Sequence, residues 1–490
     1  MAVVTSKSTD ANTDELFVDL QAEVGSIGSP DTARDPVNIA TIRNWCDAIG
    51  EANPVFTDPE TAEASVHTGL VAPPAMLNVW TMYGLHLGAE RPRDPNEPRV
   101  GAYEKLDQAG YSSVVATNSD LYFNRYLKPG DLVIGTTKLL EVSERKTTRL
   151  GTGYFVTTES TYVDQNGDTV GSMRFRILKY RSPSSADAAE SGNGDGADSN
   201  GSADPASKPR PRPKFNQDQA WFWEGLRQGE LRIQRFTDDG TLIHPPANAN
   251  PGTGHMDYDW IVASGEATLY SYTVVHHPQI PSFDYPNIVG LVELAEGVRI
   301  VSNIVGVTPK QLEVGMPLEL CFTDTHDDVT LHQFRPARQV RNESTLTVDQ
   351  VAVGDQLPLG PVPIDPLLIV SAAIATRDFQ PVHHNYHLAR SRGTPDIFMN
   401  ILTTSGIVTR WLGDWAGNDV VFKNLKIGLG APNFPGDLMT LSGTVTEVGD
   451  HGRIAVGFIG RNELGAHVTG TAEMVLPVVD GNADESKGGR

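Results

Sequence analysis

With 490 residues, 39% of them hydrophobic and 20% charged, the chain has the composition of a folded protein, and its length suggests about three domains. A formal net charge of -22 without a clustered basic face excludes wholesale nucleic-acid binding, and no apolar run approaches the roughly 20 residues of a membrane span. Two cysteines, Cys46 and Cys321, exclude a disulfide framework or thiolate zinc site, and MAVVTSKSTDANTDELF lacks a signal-peptide core, so a metal-free cytoplasmic protein is expected.

Residues 1–180 read as a first unit. GEANPVFTD leads into GLVAPPAMLNVWTMYGL, where Pro73 and Pro74 predict the start of an apolar helix, and strands follow around a PGD turn. Residues 181–211 are crowded with Ser, Gly, Asp and Ala and predict a flexible linker.

Residues 212–338 open with an aromatic-bearing helix in NQDQAWFWEGLRQGELRIQRF. The β-branched runs ATLYSYTVVHH, NIVGLVELAEGVRIVSNIVG and MPLELCFTD follow, split by Gly and Pro, and predict a small all-β barrel.

Residues 339–480 repeat the layout of the first unit, and 481–490 read as a disordered tail. Thr394, Pro395 and Asp396 predict a helix start, with Ile397, Ile401, Val408, Trp411 and Leu412 on one stripe. A long helix followed by strands, twice, predicts an α+β fold in which two units each wrap a sheet around a central helix.

The outer units are written twice. NPVFTDPETA (53–62) and QPVHHNYHLA (380–389) agree at Pro, Val and the final Ala without a gap, and PGDLVIGTTKLLEV (129–142) agrees with PGDLMTLSGTVTEV (435–448) at Pro, Gly, Asp, Leu, Glu and Val. In this register Glu51 faces Asp378, Asn53 faces Gln380 and Phe56 faces His383, so the first copy lacks its titratable ring. A carboxylate and an imidazole across one turn can hold and polarise a water for acid–base chemistry. A bare D-x-x-x-x-H is also common, and a histidine beside a turn is often a cap. The pair His383 and His384 lacks a third ligand at metal spacing.

RDFQPVHHNYHLA is similar to the signature of the MaoC-like (R)-specific enoyl-CoA hydratases. Asp378, Pro381, Val382, His383 and Ala389 match it, and Gln380 replaces an Asn. The chain as a whole resembles the steroid side-chain branch of that family, with its two subunits fused. DIFMNILTTSGIVTRWLGDWAG looks like the catalytic subunit's central helix, and YSYTVVHHP with EGVRIVSNIVG like an OB-fold tail. The resemblance implies a double hotdog, one half degenerate and one catalytic, with an OB-fold between them in sequence.

It further implies water addition across the C2=C3 bond of an enoyl thioester. Asp378 and His383 would be catalytic, with Gln380 and the amides of Ile397 and Phe398 positioning the thioester. Phe56, Met76, Trp80 and Met82 would line a pocket for a bulky acyl group. No cofactor is implied beyond coenzyme A carried by the substrate, whose phosphates Arg390, Arg392, Arg410, Lys423 and Lys426 could meet. A related OB module carries a four-cysteine zinc ribbon, here replaced by Phe236, Asp239, Asn250 and Thr253 with His244 and His255 nearby, so no zinc is expected. The implied partners are an aldolase of the lipid-transfer type or a thiolase-like protein at the OB-fold, and a second copy of the chain in a homodimer. A pure scaffold, or a dehydratase for short chains, are the alternatives.

Overall fold

The computed structural model describes residues 8–85, 98–181, 211–213, 219–283, 285–309, 312–326, 329–337 and 340–478. The tail 481–490 and all but the ends of the linker 181–211 lie outside them. The chain divides into two compact units, Met1–Gly194 with Gln339–Arg490, and Asp195–Arg338.

In the first unit, helices α1 (Ser8–Ala22), α2 (Ile39–Ile49), α3 (Pro59–Ala64) and α4 (Pro98–Gln108) accompany strands β1 (Asp31–Thr32), β2 (Ser113–Phe123), β3 (Ile134–Val142), β4 (Lys146–Thr148), β5 (Gly151–Val163) and β6 (Thr169–Arg181). Helix α2 starts at Asn38, whose side chain accepts from the Thr41 amide, and ends at Gly50 in the left-handed region. The helix expected from Pro73 and Pro74 is absent among the described residues. Two short 3-10 turns, Pro74–Met76 and Val79–Thr81, stand there instead. Two successive prolines withhold two amide donors, and at Met82 the backbone is already extended.

The second unit has helix α5 (Ala220–Arg227) and strands β7 (Arg232–Phe236), β8 (Leu242–Ile243), β9 (Tyr258–Val262), β10 (Glu266–Val275), β11 (Asn287–Leu294), β12 (Arg299–Asn303), β13 (Pro317–His326) and β14 (Val329–Pro336). Five strands run in the order β12-β11-β10-β13-β14, and a parallel bridge from Ile304 to Phe334 brings the two ends of this sheet together. Leu269, Val292, Ile300, Leu318 and Phe334 fill its interior, joined by Phe222 and Leu226 of α5. This is the OB-fold; β8-β7-β9 form a separate ribbon sheet.

The remainder of the first unit comprises β15 (Gly360–Pro363), α6 (Pro366–Ala375), α7 (Tyr386–Ser391), α8 (Ile401–Ala416), β16 (Val421–Leu429), β17 (Leu438–Val448), β18 (Arg453–Asn462) and β19 (Gly465–Val475). The sheet runs β1-β3-β5-β6-β2 and continues as β16-β19-β18-β17-β15. Each half is the other in reverse order, and β2 joins β16 antiparallel, with Tyr122 opposite Asn424 and Asn118 opposite Gly428. The two PGD turns close alike: Asp131 accepts from the Lys128 amide and Asp437 from the Phe434 amide, each at 2.8 Å. This is the double hotdog.

Helix α8 is buried on nearly every side despite Thr403, Thr404, Ser405 and Thr409. Ser405 and Thr409 return their hydroxyls to carbonyls one turn back, so the helix carries polar residues into the core without leaving these two unpaired. A Cβ at Gly406 would lie 2.8 Å from the Trp45 ring, and one at Gly360 2.4 Å from Trp411, so bare backbone lets α2 and the sheet close on α8.

Candidate active site

Asp378 and His383 are brought together by two local turns. Helix α6, capped by Asp365 with Pro366 behind it, ends at Thr376. Arg377 then takes a left-handed conformation (φ 58°), and the Asp378 amide returns to the Ala373 carbonyl. Pro381 opens a 3-10 turn that ends on His383, and Asn385 caps α7 beyond it.

His383 is buried, and its Nδ1 lies 2.7 Å from the Phe398 carbonyl. A carbonyl only accepts, so Nδ1 carries the proton and the neutral ring presents Nε2 as its base. Nε2 lies 3.5 Å from Asp378 Oδ2. The Phe398 ring stands edge-on against the imidazole at 5.0 Å. The pair thus offers a carboxylate oxygen and a basic nitrogen side by side, an arrangement suited to taking a proton from a water and returning it.

The oxyanion donors expected at Ile397 and Phe398 are spent. The Ile397 amide donates to Asp396 Oδ1 at 2.7 Å and that of Phe398 to the Val382 carbonyl at 3.3 Å. Pro395 and Asp396 do not begin the helix. Asn400 does, its side chain accepting from the Thr403 amide at 2.7 Å. The amides of Asn400, Ile401 and Leu402 stand instead at this helix N-terminus, where the first four backbone donors lack intrahelical acceptors. The segment MNILTT carried this signal, Asn before an apolar run, and the Pro395 signal obscured it.

Gln380 also differs from expectation. Its side chain is exposed and makes no cap bond, and only its amide approaches Asp378 Oδ1, at 3.4 Å. Asn53, one methylene shorter in the first copy, accepts from the Val55 amide and donates to the Asn418 carbonyl.

At the first copy, Phe56 packs where the imidazole would be. It lines a small cavity with Glu51, Asn53, Pro74, Tyr126, Thr409, Gly413, Val420 and Phe422, with room for one water, ≈ 10 Å³. Met76 and Trp80 are buried in the core and do not line this cavity, and Met82 is half-buried. Glu51 is held by Arg341, which also meets Asp414 and Asn418. Burial raises the Glu51 carboxyl above its ordinary range, with Arg341 opposing it, and burial raises Asp414 likewise. Neither Arg341 nor Asp414 stands out in the sequence.

Among the candidate phosphate-binding cations, Arg410 is turned toward the Ile49 carbonyl and Lys426 lies over the Tyr122 ring. Arg390 and Arg392 are exposed on and beyond α7, close in sequence to His383, and Arg390 holds the Pro395 carbonyl.

The ribbon of the OB unit does not fit zinc. Phe236 is wholly buried, and the Asn250 side-chain amide donates to Asp238 and Asp239 while Thr253 donates to Asp238. Donors stand where a cation would have to be. His255 lies 3.3 Å from the Thr237 hydroxyl, and His244 packs tilted on Phe222.

A double hotdog with one Asp–His pair and one disarmed copy defines a hydro-lyase of the MaoC-like class. A family model described as FAS1-like, dehydratase domain region, matches residues 25–173, and one described as ChsH2, C-terminal OB-fold domain, matches residues 260–323. The chain is 40% identical over 323 residues to a probable enoyl-CoA hydratase alpha subunit of Thermomonospora curvata, covering 65% of this chain and 95% of that one. It is 50% identical over 112 residues to the 3-oxo-4,17-pregnadiene-20-carboxyl-CoA hydratase beta subunit of Mycobacterium tuberculosis, covering 23% of this chain and 86% of that one. A solved structure described as a MaoC-like dehydratase shares the fold at a TM-score of 0.50 and 14% identity, over 93% of this chain and 99% of its own. The chain belongs to the MaoC-like enoyl-CoA hydratase family. It joins in one polypeptide what these relatives carry as alpha and beta subunits.

Proposed function

We propose that the chain adds water across the C2=C3 bond of a bulky enoyl-CoA of the steroid side-chain type, using Asp378 and His383. The observation that carries this reading is the 3.5 Å pairing of Asp378 Oδ2 with a His383 ring whose other nitrogen is tied to Phe398. A water held by the pair loses a proton to it as oxygen bonds to C3. That proton is then delivered to C2, leaving a 3-hydroxyacyl thioester. Negative charge develops on the thioester oxygen on the way, and we assign its donors to the amides at the start of α8, Asn400 to Leu402. No cofactor takes part beyond the coenzyme A of the substrate, with Arg390 and Arg392 placed to meet its phosphates, and the site of action is the cytoplasm.

The steroid-type acyl group is supported by the beta-subunit relative, which is named a hydratase of a pregnadiene carboxyl-CoA. For the unit that carries the OB-fold and its ribbon sheet, we propose docking of an aldolase or thiolase-like protein that consumes the product. Tyr258, Trp260 and Val262 alternate outward along β9, 37–52% exposed, with Trp221 stacked on Trp260 at 5.6 Å. Exposed aromatic stripes of this kind form the centres of protein interfaces. A homodimer of the whole chain completes the reading.

The test is hydration of a C22 steroid enoyl-CoA against crotonyl-CoA, followed by loss of the conjugated thioester absorbance, with His383→Ala alongside. Steroid turnover that is lost in the variant supports the reading. Turnover of crotonyl-CoA alone removes the steroid, and no turnover of either leaves the scaffold role.

A further inference from the structure

The two halves of the catalytic pair arrive on different elements. Asp378 hangs from the end of α6, two residues past Thr376. His383 is oriented by the Phe398 carbonyl, two residues before Asn400. Nothing covalent shorter than the intervening chain fixes one against the other.

One hydrogen bond spans the gap. Asn400 Nδ2 donates to Thr376 Oγ1 at 3.2 Å, between two side chains that are 4% and 0% exposed. Both groups are set for this contact by their other bonds. The Thr376 hydroxyl donates to the Ala372 carbonyl at 2.7 Å, which leaves its lone pairs for Asn400. Asn400 Oδ1 accepts from the Thr403 amide, which fixes the side-chain amide with its NH₂ toward Thr376.

The far side of the same segment is also tied down. The Met399 amide donates to the Asn433 carbonyl at 3.1 Å, and Asn433 is held by Asn462. Thr404 Oγ1 lies 2.9 Å from His467 Nε2, and His467 Nδ1 lies 2.7 Å from the Ala431 carbonyl. By the same tautomer argument, Nδ1 donates and Nε2 accepts from Thr404. Residues 398–404 are therefore fixed from both faces.

We propose that Asn400 and Thr376 are positioning residues, whose hydrogen bond sets the spacing between Asp378 and His383. A catalytic group displaced by about 1 Å can cost on the order of 100-fold in rate, which is the scale at which such a tie acts. The rate effect rests on the hydratase reading above; the positioning itself does not.

The test compares Thr376→Val, Thr376→Ser and Asn400→Ser. Valine keeps the shape of threonine without its hydroxyl, and serine at 400 keeps a capping oxygen for Thr403 but cannot reach as a donor. The expected result is kcat lowered about 10- to 100-fold in Thr376→Val and Asn400→Ser with KM within about twofold, near-native rates in Thr376→Ser, and a double variant no slower than the worse single one. A second readout needs no turnover: the hydrogen-bonded Nδ1 proton of His383, seen at low field by NMR and assigned by its loss in His383→Ala, should broaden in Thr376→Val. Full kcat, loss confined to KM, or an unchanged resonance in folded Thr376→Val overturns the proposal. A native protein inactive on every enoyl-CoA would remove the hydratase reading and leave the resonance to decide the positioning.

Discussion

Arg341 Nη1 lies 3.4 Å from Glu51 Oε1 across 290 residues of sequence, and 2.9 Å from Asp414 Oδ1. Glu51 occupies the position that Asp378 holds in the second copy. The carboxylate of the first copy is thus bound in a buried ion pair, and Phe56 stands at the register of His383.

Breaking that pair should be costly. Arg341→Met leaves two buried carboxylates facing each other, and loss of one partner of a buried pair typically costs about 3–5 kcal/mol. Urea unfolding of the intact chain should show a loss of that order, and Glu51→Gln added to Arg341→Met should recover part of it. Equal stability of Arg341→Met and the native chain would mean that the pair is solvated.

Rearming the first copy should fail. Phe56→His restores a ring at the right register, but Glu51 is engaged by Arg341 and by the Asn53 amide at 2.8 Å. Phe56→His combined with His383→Ala is expected to show no hydration above His383→Ala alone. Recovered turnover there would show that the first copy is one substitution from activity.

Acid should loosen the OB unit. His244 and His332 lie with ring centroids 6.3 Å apart, and burial pushes both down to about 4. Unfolded histidine takes up its proton near pH 6.5. These lowered folded values mean that their contribution is complete above about pH 6.5 and is lost as pH falls toward 4. Melting temperature of the intact chain between pH 7 and 5 measures the slope, which His244→Phe should flatten. An identical slope in that variant would sink the assignment.

The ribbon should be indifferent to metal. Prolonged dialysis against a strong zinc chelator is expected to leave the melting curve unchanged, whereas Asn250→Ala, which strips the donor from Asp238 and Asp239, should destabilise by about 1–3 kcal/mol. A chelator-dependent melt would restore the metal.

The local placement of Asp378 and His383 was legible because both follow short-range signals, a helix end before Asp378 and Pro381 opening the turn to His383. The duplication was legible because its turns repeat the same side-chain closure, Asp131 to Lys128 and Asp437 to Phe434. What escaped notice depends on distance or competition. Arg341 is one arginine among many until the fold carries it to Glu51. Pro395 and Asn400 both carry helix-start signals five residues apart, and tertiary bonds to Val382 and Asn433 decide for Asn400. The first-half helix failed for the opposite reason, an apolar run whose paired prolines favoured turns.

The seam between β2 and β16 also sets a timetable for biosynthesis. Strand β2 ends at Phe123 and its partner begins at Val421, a separation of 421 − 123 = 298 residues. At roughly 5–20 residues per second, a ribosome takes about 15–60 s to supply that partner. During this interval the newborn first half presents an unpaired strand edge, a template for wrong pairing. Here the waiting time is fixed by the length of what is translated in between.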